Sequence, residues 1–214
     1  MTSGIEENLV DKSITAMMLK EKVQKNPALL PEVLAGVRSS KAAVRYGCSK
    51  VLLELSRDHP ELLYPYMDFF IDLLDSRHRI LTWNALAVIA HLTRVDRQKK
   101  FDVIFERYFS FLQNEYLVTV ANVVGNSGVI AQAKPYLIPR ITQELLKVEQ
   151  LKTGVHLTAE CKLVVAEKTI ESFDMFFDKV KDKHDVMMFV KRCAASRRKT
   201  LRQKATRFIQ KWGS

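Results

Sequence analysis

The side chains of this 214-residue chain that could do chemistry are few and scattered. Five histidines, His59, His78, His91, His156 and His184, stand at no mutual spacing that would hold a metal or activate a nucleophile. His91, between Ala90 and Leu92, reads as a structural histidine on an apolar stretch. Three cysteines, Cys48, Cys161 and Cys193, form neither a CxxC nor a Cys–His metal spacing, and an odd, dispersed set suggests no disulfide framework. Strings that cradle phosphates, expose a serine nucleophile or place zinc ligands on a helix (GxxxxGKS/T, GxGxxG, GxSxG, HExxH) do not occur. These residues predict no catalytic site, no metal, no cofactor and no small-molecule substrate, so the chain reads as a non-enzyme.

Charge is the feature that stands out. The sequence carries 34 Lys+Arg against 24 Asp+Glu, a net charge of +10. Nearly all of it is local: residues 181–214 hold eleven cations and two acids, and no acid follows Lys191. The stretch is not a tail, because Leu201, Ala205, Phe208, Ile209 and Trp212 recur at helical spacing and leave one face apolar, the other basic. Lys191, Arg192, Arg197, Arg198, Lys199, Arg202, Lys204 and Arg207 are the candidate partner-binding face. Such a face suits an acidic protein patch, nucleic-acid phosphates or, more weakly, an anionic membrane surface through Trp212 and Phe208. It equally suits a terminal helix whose cations keep an exposed end soluble. On the binding reading, changing Arg198, Arg202 and Lys204 to Gln removes an anionic partner and leaves the fold intact. Cys193 stands beside Arg192, where cations would lower its pKa, and is still expected to be an inert thiol.

The elements that must position these groups are helices. Phe101, Ile104, Phe105, Tyr108 and Leu112 follow a helical period, as do Leu62, Leu63, Tyr66, Phe69, Phe70 and Leu73, and no alternating run of strand length occurs. With 47% hydrophobic residues, 27% charged, seven Gly and six Pro, the composition is that of a globular chain and excludes both disorder and a turn-rich β fold. The uncharged run Tyr116 to Ala133 approaches membrane-spanning length, but its amides, hydroxyls and two glycines predict a buried helix. MTSGIEENLV has acids where an export signal has bases, and with the thiols reduced the expectation is an intracellular, cytoplasmic protein.

The helices repeat. Cys48, Ala85, Ala121, Cys161 and Ala205 form a column of small residues. Val44, Leu81, Leu117, Leu157 and Leu201 stand four residues before it, and Val51, Val88, Val124, Val164 and Phe208 three residues after. A small residue between apolar ones lets a neighbouring helix approach closely. Ser40, Ser76, Asn114, Thr153 and Ser196 precede these helices and are expected to cap them. The proline pairs Pro27/Pro31, Pro60/Pro65 and Pro135/Pro139 mark a preceding helix, the first proline at its start and the second bending it. The predicted organisation is one domain: an N-terminal capping helix at 5–25, then helix pairs at about 28–59, 60–96, 97–134, 135–180 and 181–213.

Ala28-Leu29-Leu30-Pro31-Glu32-Val33-Leu34, Glu61-Leu62-Leu63-Tyr64-Pro65 and Tyr136-Leu137-Ile138-Pro139 resemble the first-helix pattern of the HEAT-repeat family, and Ala43-Val44-Arg45 with Cys48 and Leu52 resembles the opening of its second helix. The Val-Arg pair becomes Leu81-Thr82, Leu117-Val118 and Leu157-Thr158 in later copies, and Gly125 and Gly128 interrupt the third second-helix, marking close packing or a flexible point. The resemblance implies an all-α, right-handed α-α superhelix, a solenoid, whose second helices line a concave face. It also implies a scaffold for another macromolecule, a protein partner first. Nucleic acid is the alternative, since alkylpurine DNA glycosylases share HEAT-like architecture. In such a groove Tyr46 and Trp83 would stack on a partner, and Asn84, Asn122 and Asn126 would hydrogen-bond to it.

Overall fold

The computed structural model describes residues 4–11 and 13–213, and α- and 3-10 helices are the regular elements among them. Two helices come first, α1 (Gly4–Val10) and α2 (Ala16–Lys25), where a single helix over 5–25 was expected. The break has a local cause. Asp11 Oδ1 accepts from the Ser13 N–H at 2.8 Å, Ile14 is buried, and the Thr15 hydroxyl accepts from Met18 N at 3.2 Å, so Thr15 starts a new helix.

Five pairs follow. The first is a 3-10 turn (Pro27–Leu29), α3 (Leu30–Gly36) and α4 (Ala42–Asp58). The second is α5 (Pro60–Leu63), a 3-10 turn (Tyr64–Tyr66), α6 (Met67–Asp72) and α7 (Arg79–Leu92). The third is α8 (Lys100–Ser110) and α9 (Leu117–Ala133), so the uncharged run is a helix with one face buried. The fourth is a 3-10 turn (Pro135–Leu137), α10 (Ile138–Leu146) and α11 (Ala159–Asp174), and the fifth is α12 (His184–Ala194) and α13 (Lys199–Trp212). The second prolines do not bend a continuous helix as expected. Pro31 and Pro139 sit in the first turn of a restarted helix, and Pro65 lies inside the 3-10 turn, where a missing N–H costs little.

The packing groups the chain into two compact units, Met1–Lys100 and Phe101–Ser214. In the first, α4 packs on α2, α3 and α7, and α6 packs on α7. In the second, α11 packs on α9 and α13, and α12 packs on α13. Each buries a contiguous apolar core, including Leu52, Leu55, Leu63 and Phe70 in one and Phe105, Tyr108, Phe173 and Phe177 in the other.

The small-residue column holds at Cys48, Ala85 and Ala205, all buried, and slips at Ala121 and Cys161, which are half-buried. In α9 the close approach belongs to Gly128, where an added Cβ would overlap Met175. Gly36 plays the same part against Cys48 in the first pair. Gly125 faces open space.

The expected caps are turns instead. The side chains of Ser39, Ser76, Asn114 and Ser196 accept from the backbone N–H two residues on, at 3.0–3.2 Å, and each stands three residues ahead of its helix. In the first copy the residue is Ser39, not Ser40, and the N-cap positions themselves are Lys41, His78, Tyr116 and Arg198. Thr153 does not cap α11. The fourth turn is longer, and Thr158 is the cap, accepting from Cys161 N at 3.3 Å.

Candidate functional site

In the first unit the second helices α4 and α7 lie side by side and parallel, joined by four rungs that advance together. The Tyr46 ring meets His78 edge-on at 6.3 Å, and the Arg45 guanidinium lies 4.8 Å over the same ring. Asn84 Nδ2 donates to Ser49 Oγ at 2.8 Å, Ser56 Oγ pairs with His91 Nδ1 at 2.8 Å, and Arg94 donates to the carbonyls of Ser56 and Arg57. Tyr46, Trp83 and Asn84 are half-buried along this seam, so part of each side chain packs between helices and part faces outward. The Asn84 amide spends one hydrogen on Ser49 and keeps its carbonyl oxygen as an acceptor for a partner. Asn122 lies in the second unit and donates to Val118 O of its own helix at 2.8 Å. Asn126 leaves Nδ2 buried without a partner in the same helix.

His91 is the structural histidine expected. Burial, with Arg94 and Arg57 nearby, pushes its pKa down to about 4, so the imidazole is neutral and held by Ser56. The cysteines are free thiols. Burial pushes Cys48 up to about 12, in keeping with a core thiol. Cys193 is buried as well, and burial pushes it up to about 12, so desolvation outweighs the effect of the adjacent Arg192 that the sequence suggested. Cys161 is half-buried in the first turn of α11.

Part of the basic C-terminal face is paired within the second unit. Arg192 grips both oxygens of Glu149 at 2.8 and 2.7 Å. Arg198 donates to Glu160 and Glu167, and Lys204 pairs with Glu171 and, at 3.6 Å, with Glu167. Lys211 Nζ and Trp212 Nε1 both donate to Asp174 Oδ1, at 2.9 and 2.6 Å. Arg197 reaches Glu160 only at 4.0 Å and is mostly exposed. Arg202 turns back onto Ser196 O at 2.8 Å, as Arg45 does onto Ser39 O in the first pair. Lys191, Lys199 and Arg207 are exposed and make no ion pair among the described residues.

Charge counting missed the other half of this arrangement. Glu160, Glu167, Glu171 and Asp174 lie on one side of α11, and their helical spacing was the signal available. Glu167 is 6% exposed, and its carboxyl sits below the usual carboxylate range. Burial pushes it up, but the hydrogen bonds from Thr200 and Arg198 and the charges of Arg198 and Lys204 outweigh burial. The expectation that Arg198, Arg202 and Lys204 can be neutralised with the fold intact is therefore corrected. Two of the three hold a buried carboxylate, and their loss leaves that charge uncompensated.

Among the described residues no three His, Cys, Asp or Glu side chains group to hold a metal, and no helix is long and apolar enough to cross a membrane. No protein-family model and no curated protein sequence matches the chain. Solved structures do. A designed armadillo repeat protein, YIII(Dq)4CqI, is 13% identical, aligns over 89% of this chain and 84% of its own, and gives a TM-score of 0.55. An engineered protein of known crystal structure is 12% identical, over 92% and 84%, with a TM-score of 0.53. Likeness at this identity speaks to architecture, and with the repeated helix pairs it makes the chain an all-α helical-repeat solenoid of armadillo-like fold.

Proposed function

We propose that this chain is a non-enzymatic, HEAT-like scaffold of the cytoplasm that binds another protein along the outward side of its second helices, with the α4/α7 seam of the first unit as the principal surface. One observation carries the reading: α4 and α7 run parallel and present Tyr46, Trp83 and the Asn84 carboxamide from adjacent rungs, beside the exposed Lys50. Aromatic rings with amide groups on a rigid helical surface are the chemistry of a protein interface. The repeat fold supports the reading, because stacked helix pairs build broad surfaces in place of an enclosed active site. The nucleic-acid alternative is weaker, since Arg192, Arg198, Lys204 and Lys211 are paired with acids of their own chain. A duplex-binding face needs cations free to release counterions from phosphates.

The test is a photo-crosslinking residue placed at Lys50 or Ala87 in the full chain, in cells, with Asp72 as the control position. Protein adducts from 50 and 87, lost on Tyr46→Ala with Asn84→Ala and absent from position 72, are expected. Adducts that are nucleic acid, or equal protein labelling from position 72, would overturn the reading.

A further inference from the structure

The fourth pair departs from the others at its turn. Residues 151–158 join its helices where 76–78 and 114–116 suffice in the second and third pairs. The longer turn is anchored at both ends by buried Leu151 and Leu157, and Gly154 N donates to Leu157 O at 2.9 Å. Beside it, between the start of α11, the end of α12 and the first turn of α13, opens a cleft of about 290 Å³. Val148, Leu163, Ala166, Phe189 and Leu201 give it an apolar floor.

The polar groups at its mouth are unequal. The Glu149 carboxylate is satisfied by the two-point grip of Arg192. Ser196 Oγ accepts from Arg198 N, and its O–H remains a donor. Lys162 differs from both: its Nζ reaches only the Glu149 carbonyl, at 3.5 Å, and no carboxylate pairs with it among the described residues. An unpaired ammonium thus stands over an apolar floor, in a cleft whose other charges cancel.

We propose that this cleft binds a small amphipathic carboxylate, its ring or branched alkyl group on the Leu163–Phe189 floor and its carboxylate on Lys162 Nζ. Cavities of about 150 Å³ hold benzene, so this one accommodates a fused bicyclic ring. A cationic ligand meets Lys162 and Arg192 unfavourably, and a neutral one forgoes the ion pair. The site does not depend on the protein-binding reading above, because its residues all lie in the second unit.

The probes are 2-naphthylacetate, 2-naphthylethanol and 2-naphthylethylamine, titrated calorimetrically against the full chain. The acid should bind about tenfold or more tighter than the alcohol, the worth of one hydrogen bond to a charged group, and the amine weakest. Lys162→Gln should bring the acid level with the alcohol, and Ala166→Leu, which fills the floor, should weaken both with the helical circular dichroism unchanged. Bound acid should also slow alkylation of Cys193, which lines the cleft. Equal affinity of acid and alcohol for the unaltered protein overturns the proposal, as does acid binding that Lys162→Gln leaves untouched. The comparison of the three probes needs no variant to fold.

Discussion

Replacing Glu167 with Gln tests whether the ion ladder between α11 and α13 holds the C-terminal pair in place. The substitution keeps the side chain's shape and removes its charge. Glu167 accepts from Arg198 Nε and Thr200 Oγ1, with Lys204 Nζ 3.6 Å away. A hydrogen bond to a charged group contributes about 1.5–3 kcal/mol against about 1 for a neutral one. With Gln the Thr200 bond becomes neutral and the Arg198 bond keeps one charge of two, so the two changes together cost about 2 kcal/mol. The loss stays below the roughly 3–5 kcal/mol of a broken fully buried pair, because Arg198 and Lys204 are about a third exposed and keep Glu160 and Glu171. Urea denaturation followed by Trp212 fluorescence, in a Trp83→Phe background, reads the second unit alone. The pH dependence supplies the sign. A carboxyl depressed by folding stabilises above its unfolded pKa near 4.5 and loses that contribution as the pH falls through the folded value. The gap between the two proteins should therefore be about 2 kcal/mol at pH 7 and shrink steadily once the pH drops below about 4.5. A gap under about 0.5 kcal/mol at pH 7, or one that persists undiminished in acid, would refute the argument that this charge clasps α13.

Other outcomes follow from single contacts. Gly125→Ala should stabilise the second unit by about 0.5–1 kcal/mol, since the site is helical and open, whereas Gly128→Ala should destabilise it because the methyl overlaps Met175; paired chemical melts check both. His91, neutral in the fold with a pKa near 4, favours the folded state fully above its unfolded value of 6.5. Stability of the first unit should fall between pH 6.5 and 4, and His91→Gln should flatten that slope in melts across the range. A chromogenic disulfide reagent at neutral pH should label Cys161 first and leave Cys48 and Cys193 slow, as peptide mapping at short times would show; rapid labelling of Cys193 would contradict its burial. Removing the exposed, unpaired Lys199 and Arg207 as Gln should leave the melting curve unchanged, in contrast to Glu167→Gln.

The order of helices was legible because it rests on periods short enough to see in one dimension. Apolar residues at helical spacing, prolines at the start of three of the pairs, and a serine or asparagine ahead of four of the second helices mark the elements. The same local logic shows its limits within a few residues. Ser39, not Ser40, makes the first turn, since a hydroxyl can satisfy several nearby N–H groups and only the backbone path selects one. The column of small residues slips in α9 and α11 because burial depends on which neighbour arrives, and Met175 arrives at Gly128, not at Ala121.

Function is where tertiary structure decided most. By sequence, Arg198 and Lys204 are members of an acid-free cationic run; in the fold they belong to Glu167 and Glu171, more than thirty residues earlier. Net charge adds along a chain without regard to distance, but the Coulomb energy that decides whether a cation is free falls off within a few ångströms. Composition and periodicity therefore determined a helical-repeat protein with a basic end. Only the packing of α11 against α13 showed that Arg198, Lys204 and Lys211 are matched by acids of α11, and only the meeting of α11, α12 and α13 formed the cleft beneath Lys162.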